Sequence, residues 1–365
     1  MKTSAGKKLI VSRAVPFALI VCLPPAGLMA AGKDISPYLA FPPVPVITDH
    51  APFSFLVFIL IFVFILVSVL PFILKAVQYT SRLSGLNIKK SRALPWWGKL
   101  ALVSLIVFWV LAWTRFDWFS CFQPHTFFPL WISLIFLINA LTVKRIGSCP
   151  ITASPGRFFI LFPVSAIFWW TFEYLNRFVS DWYYTGSLYP ALTYFLLASL
   201  SFSTVLPAVE SMRYFLLSFD LINQGFRHFP KMPRITGRTS GCLLMGLGCM
   251  SLALIGFFPD PLFFTVWIAP LFIITGHAFI CRLPHPFGTL AQGNLTCVAA
   301  CALAALCCGI FWEMFNFYSL ARWTYTIPYV QTVHIFEMPV LGYAGYLPFG
   351  LECGVIVHLL NYDNQ

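Results

Sequence analysis

Twelve acidic side chains stand in a chain of 365 residues that is 59% hydrophobic and only 10% charged. A carboxyl inside an apolar run therefore needs a physical reason, because ionisable groups cost about 2.5 to 3.5 kcal/mol at the centre of a membrane helix on insertion scales. Four glutamates fall in such runs: Glu173, Glu210, Glu313 and Glu352. Glu173 and Glu313 each open the spacing Glu-x-x-Asn, with Asn176 and Asn316 three residues on. At i, i+3 both side chains share one helix face, where the amide can bond the carboxyl and fix its rotamer. A carboxyl held this way suits a general acid or a proton carrier. The plainer role is polar glue between helices, through Asn176, Asn316 and the indoles of Trp182 and Trp323. Glu210 and Glu352 lie deeper, shortly after Pro207 and Pro348, and deep carboxyls are functional candidates by default.

Aromatic residues recur near the first pair. Trp182-Tyr183-Tyr184 and Trp323-Thr324-Tyr325 place the same Trp-x-Tyr spacing after each Glu-x-x-Asn. Rings at this position ordinarily form the interfacial aromatic belt, but a repeated spacing also fits a substrate-binding cleft lined by Trp182, Tyr184, Trp323 and Tyr325. Glu337-Met338-Pro339, followed by Gly342-Tyr343-Ala344-Gly345-Tyr346, implies a kinked entry to the last helix. Irregular backbone at membrane depth is tolerated only against protein or a cavity, so Glu337 belongs to a candidate pocket wall. His277 has no second His and no carboxylate at i+3 or i+4 and reads as packed, so no metal is assigned. The 11 cysteines include no C-x-x-C, and those between Cys297 and Gly309 read as small packing residues. No Walker loop, H-E-x-x-H, G-x-S-x-G or dinucleotide fingerprint occurs, and no cofactor is assigned.

The elements that must position these groups are transmembrane helices. Residues 1–31 carry Lys2, Lys7, Lys8 and Arg13, then an apolar stretch and a small-residue end, which is the grammar of a signal peptide or an uncleaved signal-anchor helix. Nine further apolar runs follow, near 53–75, 98–115, 126–142, 158–177, 195–217, 240–257, 260–280, 294–317 and 336–360. Each is about long enough for a roughly 30 Å hydrocarbon core. Backbone amides have no water partner there, so the expected fold is an all-α polytopic membrane protein of nine to ten transmembrane helices. The formal charge of +11 comes from short clusters between these runs rather than from a basic stretch suited to nucleic acid. With the amino-terminal basic region inside, 19 of the 23 Lys and Arg fall in inside segments, leaving Lys33, Arg115, Arg177 and Arg322 outside. That bias predicts a cell inner (plasma) membrane protein with its carboxyl terminus cytoplasmic.

A repeat underlies the pattern. Phe127-Phe128-x-x-Trp131-Ile132-x-x-x-Phe136-x-Ile138 recurs at an offset of 136 as Phe263-Phe264-x-x-Trp267-Ile268-x-x-x-Phe272-x-Ile274. Glu-x-x-Asn recurs at 140, and Trp-x-Tyr and the proline at 141. Offsets that drift so slowly predict duplication: a four-helix unit at 98–217, a basic cytoplasmic linker at 218–239 and a second unit at 240–360, with the helix at 53–75 outside both. An even number of helices makes the repeats parallel, related by an axis along the membrane normal.

In the order of Trp-x-Tyr and then Pro with Glu in the next helix, the chain resembles the small membrane-embedded lycopene cyclases, which use carboxylates near Pro-x-Glu-Glu. Here the residues are Pro207-Ala208-Val209-Glu210-Ser211 and Pro348-Phe349-Gly350-Leu351-Glu352, so the second acidic residue is missing from both and the spacing differs in the second. The resemblance covers two short motifs and implies acid catalysis on an apolar, isoprenoid-like substrate. The expected function is a membrane-embedded enzyme or binder of a hydrophobic molecule that uses these glutamates; a transporter coupled through the same carboxyls, or an assembly subunit, stands as the alternative.

Overall fold

Apolar runs too long for a soluble core do form helices, and the chain is about 70% helical. The computed structural model describes residues 2–43, 48–81, 92–186, 189–231, 233 and 235–361, with 2–13 and 361 described by their backbone alone. Its principal helices are α1 (Lys2–Ala30), α2 (Phe55–Ser81), α3 (Trp96–Trp113), α4 (Phe127–Ile146), α5 (Leu161–Val179), α6 (Ala191–Phe202), α7 (Val205–Leu217), α8 (Arg238–Leu254), α9 (Thr265–Cys281), α10 (Thr296–Phe317) and α11 (Tyr346–Asn361). By length and composition seven helical segments can cross a membrane, and Ala14–Ala30, Arg238–Leu254 and Thr265–Cys281 are shorter apolar helices. Arg82, Lys89, Lys90 and Arg234 of the charge count lie outside the described residues.

Three expected runs differ in detail. The run at 195–217 breaks into α6 and α7 at Ser203-Thr204. The run at 260–280 becomes helical only from Thr265. The run at 336–360 opens with a strand, Met338–Pro339, and a 3-10 turn over Val340–Gly345 before α11 begins. Pro339 and the glycines account for that unwound entry.

Two small ladders depart from an all-helical chain. Strand β1 (Trp182–Thr185) pairs antiparallel with β2 (Arg322–Tyr325), placing Trp182 opposite Tyr325 and Tyr184 opposite Trp323. The second ladder joins β3 (His334–Ile335) to β4 (Met338–Pro339). These segments leave the helices at one end of the bundle, called here the strand end.

Helix neighbours follow one order twice. In the first half α3 packs on α4, and α4 and α5 both pack on α7; in the second, α8 packs on α9, and α9 and α10 both pack on α11. Glycines permit the closest of these approaches: a Cβ on Gly241 would stand 2.7 Å from the Gly276 carbonyl oxygen, and one on Gly276 2.6 Å from that of Gly241. Between the halves α7 packs on α10, and α4 meets α10 as α9 meets α5. Trp131 of α4 lies with its ring centroid 4.9 Å from that of Trp312 on α10, and Trp267 of α9 lies 5.2 Å from Phe172 on α5. The small side chains Ala300, Cys301, Ala304, Ala305 and Cys308 are fully buried, as a close-packing face requires. Helix α2 buries none of its residues and lies along the outside of the bundle.

Candidate aromatic cavity and its two carboxyls

Glu173 lies near the strand end of α5. Its Oε1 accepts hydrogen bonds from Trp169 Nε1 (2.9 Å), Trp182 Nε1 (3.2 Å) and the Tyr184 hydroxyl (2.6 Å). Trp169 comes from the same helix face one turn earlier, while β1 delivers the other two on alternate residues. Glu313 occupies the matching place on α10, where Oε1 accepts from the hydroxyls of Tyr325 (2.7 Å) and Tyr346 (2.8 Å). Trp323 Nε1 donates to the Tyr325 hydroxyl at 2.9 Å. Glu313 Oε2 is buried and has no hydrogen-bond partner.

The asparagines do not hold the carboxyls, contrary to the expectation from spacing. Asn176 Nδ2 donates to the Trp182 carbonyl at 2.7 Å and its Oδ1 accepts from Trp182 N at 3.3 Å; Asn316 makes the same pair of bonds with Trp323, at 2.8 and 2.9 Å. A side-chain amide carries one donor face and one acceptor face, which match the backbone of a single strand residue better than they match a carboxyl. Each asparagine thus clamps the strand that carries the cavity's Trp and Tyr.

Between the two centres lies a cavity of about 220 Å³, walled in part by Trp169, Trp182, Tyr184, Trp267, Trp312 and Tyr325, with Trp323 and Tyr346 among the further aromatic residues that line it. The rings that bond Glu173 and Glu313 are thus the rings that face the cavity. Both carboxyls meet it through an aromatic layer. Glu313 is 0% exposed and Glu173 6%.

The other candidate residues lie elsewhere. Glu210 on α7 is bound on both oxygens by Arg213, at 2.7 and 2.8 Å, and does not line the cavity. Glu352 on α11 is buried with Oε2 unpartnered, also away from the cavity lining. Glu337 stands at the turn between β3 and β4, 3.3 Å from Nη1 of Arg322, which does line the cavity. Sequence reasoning missed Trp169, Trp312 and Tyr346. Trp169 and Trp312 were findable, lying four residues and one residue before the two glutamates.

Behind the strands, His50 Nδ1 lies 2.8 Å from Asp260 Oδ1, and Asp260 Oδ2 accepts from Ala51 N at 2.8 Å. Asp181, between α5 and β1, is buried, and its Oδ1 has no partner. Burial, reinforced by the neighbouring Asp260, pushes the Asp181 carboxyl well above the usual carboxylate range. Among the described residues no group of three His, Cys, Asp or Glu side chains could hold a metal ion. Compared with protein-family models, with curated proteins and with solved structures, the chain finds no match.

Proposed function

We propose that this is a multi-pass protein of a bacterial-type inner membrane whose aromatic cavity takes a hydrophobic, isoprenoid- or lipid-like molecule, with Glu173 and Glu313 as acid–base groups. The observation that carries this reading is the convergence of both carboxyls on one cavity through Tyr184, Tyr325 and Tyr346. A phenol between a carboxyl and an apolar ligand can pass a proton: its oxygen takes one from the ligand side as its own hydrogen moves to the carboxyl, or the reverse. Indole and phenol faces attract a cation, so a positive charge that develops on an apolar substrate after protonation would be stabilised by the walls.

The internal duplication is part of the same reading. It is supported by the shared neighbour order of the helices, the two identical asparagine clamps and the reciprocal Trp131–Trp312 and Trp267–Phe172 contacts. We read α1 as retained, since Ile20 and Leu28 join the core and the Tyr174 hydroxyl bonds the Val21 carbonyl at 2.8 Å. We read Glu210 as structural, because Arg213 occupies both its oxygens.

The test is the lipid profile of cells that carry Glu173→Gln or Glu313→Gln in place of the native chain. Both variants should insert at normal levels, and at least one should reproduce the profile of a deletion strain. Full complementation by both would overturn the acid–base reading. Reporter fusions near Asp181 and Arg322 should read exported, and those near Lys231 cytoplasmic; one reversal would overturn the orientation.

A further inference from the structure

The cavity is not uniform along its length. At the strand end it is lined by Arg322 of β2, by His125 from the turn before α4 and by Thr185. Away from that end its lining passes along α6, through Tyr194, Leu197 and Ser201, to Val205. Tyr194, Leu197 and Ser201 stand at i, i+3 and i+7, so one face of α6 forms the wall. The other face is open, and Leu200, itself a lining residue, is 45% exposed. The cavity therefore runs from a polar mouth to a side that borders lipid.

A guanidinium at the mouth of an apolar cavity needs a reason. The Arg322 side chain is 42% exposed, and its Nη1 is engaged by the Phe317 carbonyl (3.0 Å) and by Glu337 (3.3 Å). Among the described residues Nε and Nη2 donate no hydrogen bond, which leaves that edge of the fork available to an anionic group at the mouth. Arginine's planar fork matches the oxygens of a carboxylate or phosphate. The volume of about 220 Å³ is below the roughly 300 Å³ at which pockets enclose a drug-sized ligand. Only part of a long chain fits inside.

We infer that the ligand is a single-chain amphiphile with an anionic head, carboxylate or phosphate, seated against Arg322, its first carbons among the indoles and its remaining chain leaving past Leu200 into lipid. This inference rests on the reading of the cavity as a ligand site and narrows it, since a hydrocarbon without a head would leave the Arg322 fork unused.

The experiment uses the full-length protein in nanodiscs and the fluorescence of the cavity tryptophans. Four probes are titrated: farnesyl phosphate and farnesol, palmitate and hexadecanol. The anionic member of at least one pair should bind about tenfold tighter than its alcohol, and the pair that shows this identifies phosphate or carboxylate as the head. Arg322→Gln should abolish that preference and leave the alcohol's affinity unchanged, while Arg322→Lys should restore part of it. Thermal unfolding of each variant checks that the fold is intact. Equal binding of acid and alcohol, insensitive to Arg322→Gln, would overturn the anionic head and leave the cavity reading standing. If none of the four probes perturbs the tryptophans, both readings fail together.

Discussion

The two carboxyl centres share a sequence motif and a clamp but not an environment. On the first, three donors crowd onto one oxygen of Glu173; on the second, two phenols bond one oxygen of Glu313 while the other is enclosed with no donor at all. A buried acceptor without a donor costs about 1 to 3 kcal/mol, more if charged. The residue before each Trp diverges as well: Asp181 is buried, whereas Arg322, at the same place before Trp323, faces the cavity mouth. The asparagine clamps, by contrast, are alike to within a few tenths of an ångström. What is alike between the halves is the scaffold that delivers Trp and Tyr; what differs is the polar surrounding in which a titratable group could react. We read the second centre as the more reactive of the two acid–base groups, since only there is a carboxyl oxygen enclosed without a donor.

The largest effect should come from Glu313→Gln. Loss of a titratable group at the more reactive centre is expected to lower activity about a hundredfold or more, measured as product in the membrane lipid profile, with insertion unchanged. Glu173→Gln keeps an oxygen for its three donors and should cost far less; equal losses from the two would break the distinction between the centres. Next in size, Asn176→Ala and Asn316→Ala each leave a strand N–H and C=O unpaired, and each should destabilise the protein by about 1 to 3 kcal/mol in thermal or denaturant unfolding. Here the expectation is equality, and a marked difference would mean that the clamps are not equivalent.

Smaller still is the replacement of the indoles. Trp182→Phe removes a direct donor to Glu173, while Trp323→Phe removes one that reaches Glu313 only through Tyr325, so the first should lose more stability than the second. Asp181→Asn gives the finest probe. Because its folded carboxyl titrates above the unfolded value, the native state is at full stability below the unfolded pKa, about 3.9, and loses stability as pH rises from there through the folded value. Asparagine does not ionise, so the variant should melt above the native protein at pH 8, and the gap should shrink as pH falls toward 4. A gap independent of pH would show that Asp181 is not held in its neutral form.

The helices were legible because an apolar run in lipid has one way to satisfy its backbone. Glu173 and Glu313 were legible because the motif occurs twice. Their convergence on a shared cavity was not, since it depends on β1 meeting β2 across a long sequence separation. Other walls were obscured by composition: in a chain with 18% aromatic residues nothing marks Trp267 as a wall of the cavity until its neighbours are known. The partner of Glu210 was overlooked for a different reason. Depth alone argued for chemistry, yet Arg213, three residues on, was already in register to neutralise it. Asn176 and Asn316 were placed on the correct face but given the wrong partner, because helix spacing says nothing of a strand that folds back over the helix end.

The β1–β2 ladder also has a mechanical meaning. A transporter built from two parallel halves exposes its site alternately by rocking one half against the other, which requires the halves to part at each end in turn. Here a four-residue ladder, from Trp182 opposite Tyr325 to Thr185 opposite Arg322, rivets the halves together at one end. Thr326 N donates to the Asp181 carbonyl at 2.8 Å and extends the seam past the last strand residue. Parting there would strip backbone hydrogen bonds beside the two clamped tryptophans in every cycle. Access to the cavity is better served by displacement of α6, a short, outward-facing helix that ends in a break, so that traffic would run sideways with the membrane rather than across it.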